Sequence, residues 1–84
     1  MTKAIHDLLS PDAVMLAINS MAKERQEVSS RLDAGTVDDE EWEYQSDLVL
    51  RLTASLNEFG NIYESMREGD PALPSFAKII EAYE

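Results

Sequence analysis

The sequence predicts an all-α protein: a long antiparallel helical hairpin with short N- and C-terminal helices, close to a three- to four-helix bundle. Three observations carry that expectation. Two segments repeat apolar residues at spacings that alternate three and four, the period of one helix face. Gly35 and the run "REGDPALPS" punctuate them as stop signals. No period-two alternation of β-branched residues competes. At 84 residues the chain has room for a single helical domain, 1–84, with a modest core and a small margin of stability.

Residues 1–9 place Ile5, Leu8 and Leu9 at helical spacing, which predicts a short helix or turn. A first long helix is expected over 11–34. Ser10 is a suitable N-cap, Pro11 fits the first helical position, and Asp12 favours the positive helix end. Its stripe runs Val14, Ile18, Met21, Arg25, Val28 and Leu32, flanked by Ala13, Ala17 and Ala22. Gly35 then offers a left-handed stop.

A second long helix is expected over 38–68. Trp42, Gln45, Val49, Leu52, Leu56, Phe59, Tyr63 and Met66 form its seam, with Gln45 as the polar exception. From Trp42 to Met66 such a helix spans roughly 36 Å. Gly60 costs about 1 kcal/mol against alanine in a helix and implies either a close helix contact or a slight bend. Asp47 with Arg51, and Glu27 with Arg31, are favourable i,i+4 pairs. Asp70, Pro71 and Pro74 break the chain before a short amphipathic helix over 74–83, with Phe76, Ile79, Ile80 and Tyr83 on one face.

The short link "GTV" makes the long helices antiparallel neighbours, so residues whose numbers sum to about 74 lie opposite each other. Leu32 then faces Trp42, Arg25 lies near Val49, Ile18 meets Leu56, and Val14 meets Phe59 beside Gly60. Arg25, a charge in an apolar seam, is expected to reach Asp47 or the Glu24 side of its own helix, to set register or stay in solvent, or, as the lesser reading, to face a partner. Ile62 and Met66 overhang the start of the first helix, where both terminal segments can cover them. Met15, Leu16, Leu48, Leu50 and Ala54 exceed what two helices hide. Terminal segments, a symmetric homodimer or a different partner would have to cover them.

Charge narrows the function classes. Seventeen acids against seven bases give a net charge of −10. Such a chain repels nucleic acid and anionic membranes and attracts basic partners. Without cysteine there are no disulfides, thiolate metal sites or thiol catalysis. The sole histidine, His6, is read as a surface residue, since one imidazole is too little for a zinc site or a serine–histidine–acid set. The N-terminal stretch lacks the apolar core of a signal peptide, and no segment is long and apolar enough to span a membrane, so a cytosolic location is expected.

The densest feature is "DDEEWE", with Asp38, Asp39, Glu40, Glu41 and Glu43 around Trp42. With Thr36 or Asp38 as N-cap, the acids fall where helix N–H groups point, and each gains about 0.3–1 kcal/mol there. Consecutive acids on a helix fan outward and do not converge on a calcium ion. Trp42 has two readings: it closes the hairpin against Leu32, or it anchors a partner within a charged rim.

The function expected is a small acidic non-enzymatic protein-interaction module: an adaptor, chaperone-like partner or inhibitor. Its size and fold type resemble those of phage and mobile-element accessory proteins and of secretion-apparatus partner proteins, an analogy of architecture alone. Asp38, Asp39, Glu40, Glu41, Trp42, Glu43 and Leu50 are the candidate protein-binding residues, and no catalytic, metal or cofactor residue is assigned. The partner is a protein, a basic one or a second copy of the chain, with no direct nucleic-acid or membrane contact. The rival readings are a nucleic-acid mimic that occupies a basic cleft and a structural homo-oligomer subunit.

Overall fold

The computed structural model describes residues 9–35 and 37–84. Among them it is all-helical, with two long helices and one short: α1 (Pro11–Asp33), α2 (Asp39–Arg67) and α3 (Phe76–Glu81). The expected segment over 1–9, with His6, Ile5 and Leu8, lies outside the described residues except for Leu9. No helix among the described residues is long and apolar enough to cross a membrane.

Local chemistry sets the helix ends. Ser10 caps α1 by accepting from Ala13 N at 3.0 Å, and Ser75 caps α3 by accepting from Lys78 N at 3.1 Å. Gly35 ends α1 with φ +66°, a left-handed conformation that glycine adopts without steric cost. Its N–H bonds Leu32 O at 3.1 Å. Both short links and the burial pattern fold α2 back along α1. Val14, Ile18 and Ala22, from the first half of α1, share one core with Leu56, Tyr63 and Met66, from the second half of α2. The molecule measures 49 × 29 × 14 Å, so the length of α2 sets its long axis.

The third helix settles which face is buried. Ile79 and Ile80 complete the base core, and Phe76, Tyr83 and Leu73 pack against it. This covers Met66, which overhangs α1 as the register implies. Leu32 and Val49 of the expected seam are only half-buried, and three further places differ. Ala22 is buried where Met21 was expected, Gly60 where Phe59 was expected, and Trp42 is 52 % exposed. The cause of the first two is the docking of α3 on one flank of the hairpin, which rotates burial toward its side. A small residue is needed there: a methyl group on Gly60 would meet the Phe76 ring at 2.8 Å. Gly60 therefore marks a close contact within an unbroken α2, and its nearest neighbour there is Phe76, the first residue of α3.

Arg25 also departs from expectation. Its Nη1 donates to Thr53 Oγ1 at 3.3 Å, and Thr53 donates to Val49 O at 2.8 Å. Helical side chains lean toward their own N-terminus, which in this hairpin is toward the base, so Arg25 reaches one turn beyond Val49 and away from Asp47. Arg25 and Thr53 form a polar layer between the base core and the buried Val28 and Leu52 nearer the tip. Asp47 instead pairs with Arg51 at 3.5 Å, as the spacing predicts, but both side chains are largely exposed and the pair adds little. Glu27 and Arg31 do not form an ion pair among the described residues.

Candidate functional site

Asp38, not Thr36, is the N-cap identified for α2; Thr36 lies outside the described residues. Asp38 Oδ1 accepts from Glu41 N at 2.8 Å, in the extended conformation that a cap requires. Asp39, Glu40 and Glu41 then fill the first turn. Glu41 does not reach back to close a capping box; its Oε1 accepts from Gln45 Nε2 at 3.1 Å, one turn on. The acidic run is thus explained in position and sign by the helix terminus it starts.

Gln45 is a buried polar group at the tip. Its side-chain Oε1 has no hydrogen-bond partner among the described residues. A buried acceptor left in that state costs about 1–3 kcal/mol. Beside it the surface is aromatic and acidic: Trp42 is 52 % and Tyr44 65 % exposed. Asp38, Asp39, Glu40, Glu41 and Glu43 are exposed and belong to none of the ion pairs among the described residues. The structure therefore brings six of the seven candidate residues, Asp38 to Glu43, to one helix end. Leu50, 70 % exposed, lies two turns further along α2. No group of three or more acids and histidines among the described residues is placed to hold a metal ion.

The base holds the polar groups that sequence reasoning did not single out. Tyr63 is fully buried and donates its hydroxyl to Pro74 O at 2.6 Å. Glu64 accepts from Phe76 N at 2.7 Å and from Arg67 Nη1 at 2.6 Å, and Arg67 Nε donates to Leu73 O at 3.1 Å. Tyr83 donates to Asn19 Oδ1 at 2.7 Å, tying the end of the chain to α1. The Phe76 N–H, and then Arg67, hold the Glu64 carboxyl below the usual glutamate range. Burial pushes the Tyr63 hydroxyl above its ordinary value. The legible signal was the i,i+3 spacing of Glu64 and Arg67. Their shared target, the 68–75 loop, becomes visible only in three dimensions.

Two clefts flank this base. One, about 410 Å³, is an open hollow along the end of α2 whose charged groups include the Glu64–Arg67 pair. The other, about 210 Å³, lies where α1, α2 and α3 meet. The chain matches no known protein-family model, no curated protein and no solved structure.

Proposed function

We propose that this protein is a small non-enzymatic interaction module that presents its acidic, aromatic tip to a basic surface on another protein. The observation that carries this reading is the exposure of Trp42 and Tyr44 within a rim of exposed acids. A large aromatic left half in water at a helix end is poor economy for folding and suits an anchor in a partner's pocket. The unsatisfied Gln45 supports it, because local rules are broken most often where function competes with stability. An adaptor, chaperone-like or inhibitory role, in a cytosolic setting, belongs to the same proposal.

The test is association with the protein captured by the tagged chain from its native cells. Trp42→Ala should weaken binding by about tenfold or more, as at interface anchors. Neutralising Asp38, Asp39, Glu40 and Glu41 together should slow association and flatten its salt dependence. Unchanged affinity in the first variant and unchanged kinetics in the second would remove the tip from the interface.

A specific observation favours one other reading. Leu50 and Leu16 are 70 % and 61 % exposed, which supports a homodimer or larger assembly along the hairpin. The mass in solution decides it: Leu50→Glu should dissociate such an assembly and leave a monomer untouched.

A further inference from the structure

The C-terminal segment joins the hairpin on terms unlike those that join α1 to α2. α3 has six residues, far fewer than the roughly 12–15 a helix needs to hold by itself in water, so its order comes from what it touches. Residues 68–72 before it are exposed. The junction with the hairpin is also incompletely filled. The hollow of about 410 Å³ runs between Glu64, Arg67 and Pro71. The cleft of about 210 Å³ has Arg25, Leu56 and Asn57 on the hairpin side and Phe76, Ile80 and Glu84 on the other.

The contacts that do hold the segment fall into two sets. The apolar set is one stripe of α2: Leu56, Gly60 and Tyr63, spaced four and three, are all buried. The Phe76 ring lies on Gly60, and Tyr63 meets Pro74 O. The polar set is four side-chain bonds, three of which end on the backbone between Leu73 and Phe76. Tyr63 donates to Pro74 O, Arg67 donates to Leu73 O, and Glu64 accepts from Phe76 N. The fourth joins Tyr83 to Asn19. Glu64 is central, because its carboxylate holds both the Phe76 N–H and the Arg67 side chain that grips Leu73 O. The hairpin has a separate hold. Val28 and Leu52 are buried outside the cluster that α3 completes, beyond the layer of Arg25 and Thr53.

We infer that residues 73–84 form a lid that opens as one unit while α1 and α2 stay paired, with Glu64 as the residue that holds it shut. A segment tied by a few side-chain bonds and one apolar stripe, with solvent along its edges, belongs to the low-stability end of a fold. Opening uncovers the Leu56–Gly60–Tyr63 stripe among the described residues, an apolar surface at the end of the molecule opposite the acidic tip.

The experiment is amide hydrogen exchange of the full chain, followed by NMR in rising sub-denaturing urea. The Ile79 and Tyr83 amides should exchange through one shared opening, about tenfold or more faster than those of Ile18 and Leu56. Glu64→Gln keeps the size and removes the charge; it should speed the first pair by about fivefold and leave Val28 and Leu52 unchanged. Gly60→Ala pushes the Phe76 ring off its seat while favouring helix in α2, and should open the lid by a second route. Two wild-type results would overturn the lid: Ile79 and Tyr83 exchanging only together with Ile18 and Leu56, or exchanging with unrelated urea dependences, as fraying gives. Unchanged exchange at Ile79 and Tyr83 in a folded Glu64→Gln would overturn the part assigned to Glu64.

Discussion

The two ends of the hairpin are built on opposite terms. At the base, three helices meet around Val14, Ile18, Leu56 and Tyr63, each at most 1 % exposed, and side chains of Tyr63, Glu64, Arg67 and Asn19 pin the C-terminal segment. At the tip, among the described residues, two helices cover each other. Val28 and Leu52 are buried there, yet Gln45 is left with an orphaned acceptor and Trp42 stands half in water. A two-helix layer has too little apolar area to hide large side chains, whereas one added turn-and-helix does so at the base. The base is therefore the better packed end, while Trp42 and Tyr44 stay exposed at the other.

The contrast can be broken or sharpened by substitution. The largest effect is expected at the base: Leu56→Ala should destabilise by about 2–5 kcal/mol, read as a lower urea midpoint. A midpoint that does not move would remove Leu56 from the core. Tyr63→Phe comes next. It deletes the hydroxyl that meets Pro74 O and should cost about 1–2 kcal/mol near neutral pH.

That second variant has a pH signature whose sign follows from burial. The folded-state pKa of Tyr63 is raised, so its contribution is complete below the unfolded value of about 10 and declines as pH rises through the folded value. The gap between wild type and Tyr63→Phe should narrow in alkaline urea titrations. A constant gap would mean that the hydroxyl is not desolvated.

Two smaller effects probe the tip. Asp38→Ala removes the α2 cap and should cost about 1 kcal/mol, visible as faster amide exchange in the first turn. Gln45→Met should do the reverse, raising stability by up to about 1 kcal/mol, because an orphaned acceptor is replaced by an apolar chain of similar length. Loss of stability in Gln45→Met would show that the amide is satisfied in solution, and the two ends would then be less unlike than the structure makes them.

Much of this arrangement was legible in residue spacing. Seam residues Val14, Ile18, Val28, Leu52, Leu56, Tyr63 and Met66 are buried as the period of a helix face requires. Ser10, Asp38 and Gly35 end their helices by the local rules of capping and left-handed turns. Of the candidate site, the exposure of the acids followed from where a helix begins. The exposure of Trp42 did not, since its spacing fits closure of the hairpin against Leu32 as well as an outward-facing anchor.

The sequence by itself determined the two long helices, their reversal and the sign of charge at the turn, because each rests on contacts within a few residues along the chain. Only the tertiary structure decided the face on which α3 docks, and with it the burial of Ala22 and Gly60. The Glu64–Arg67–Tyr63 latch on the C-terminal loop and the Arg25 cleft arose the same way. Those features join residues from different helices, and helix periodicity fixes which side chains share a face without fixing which neighbour that face will meet.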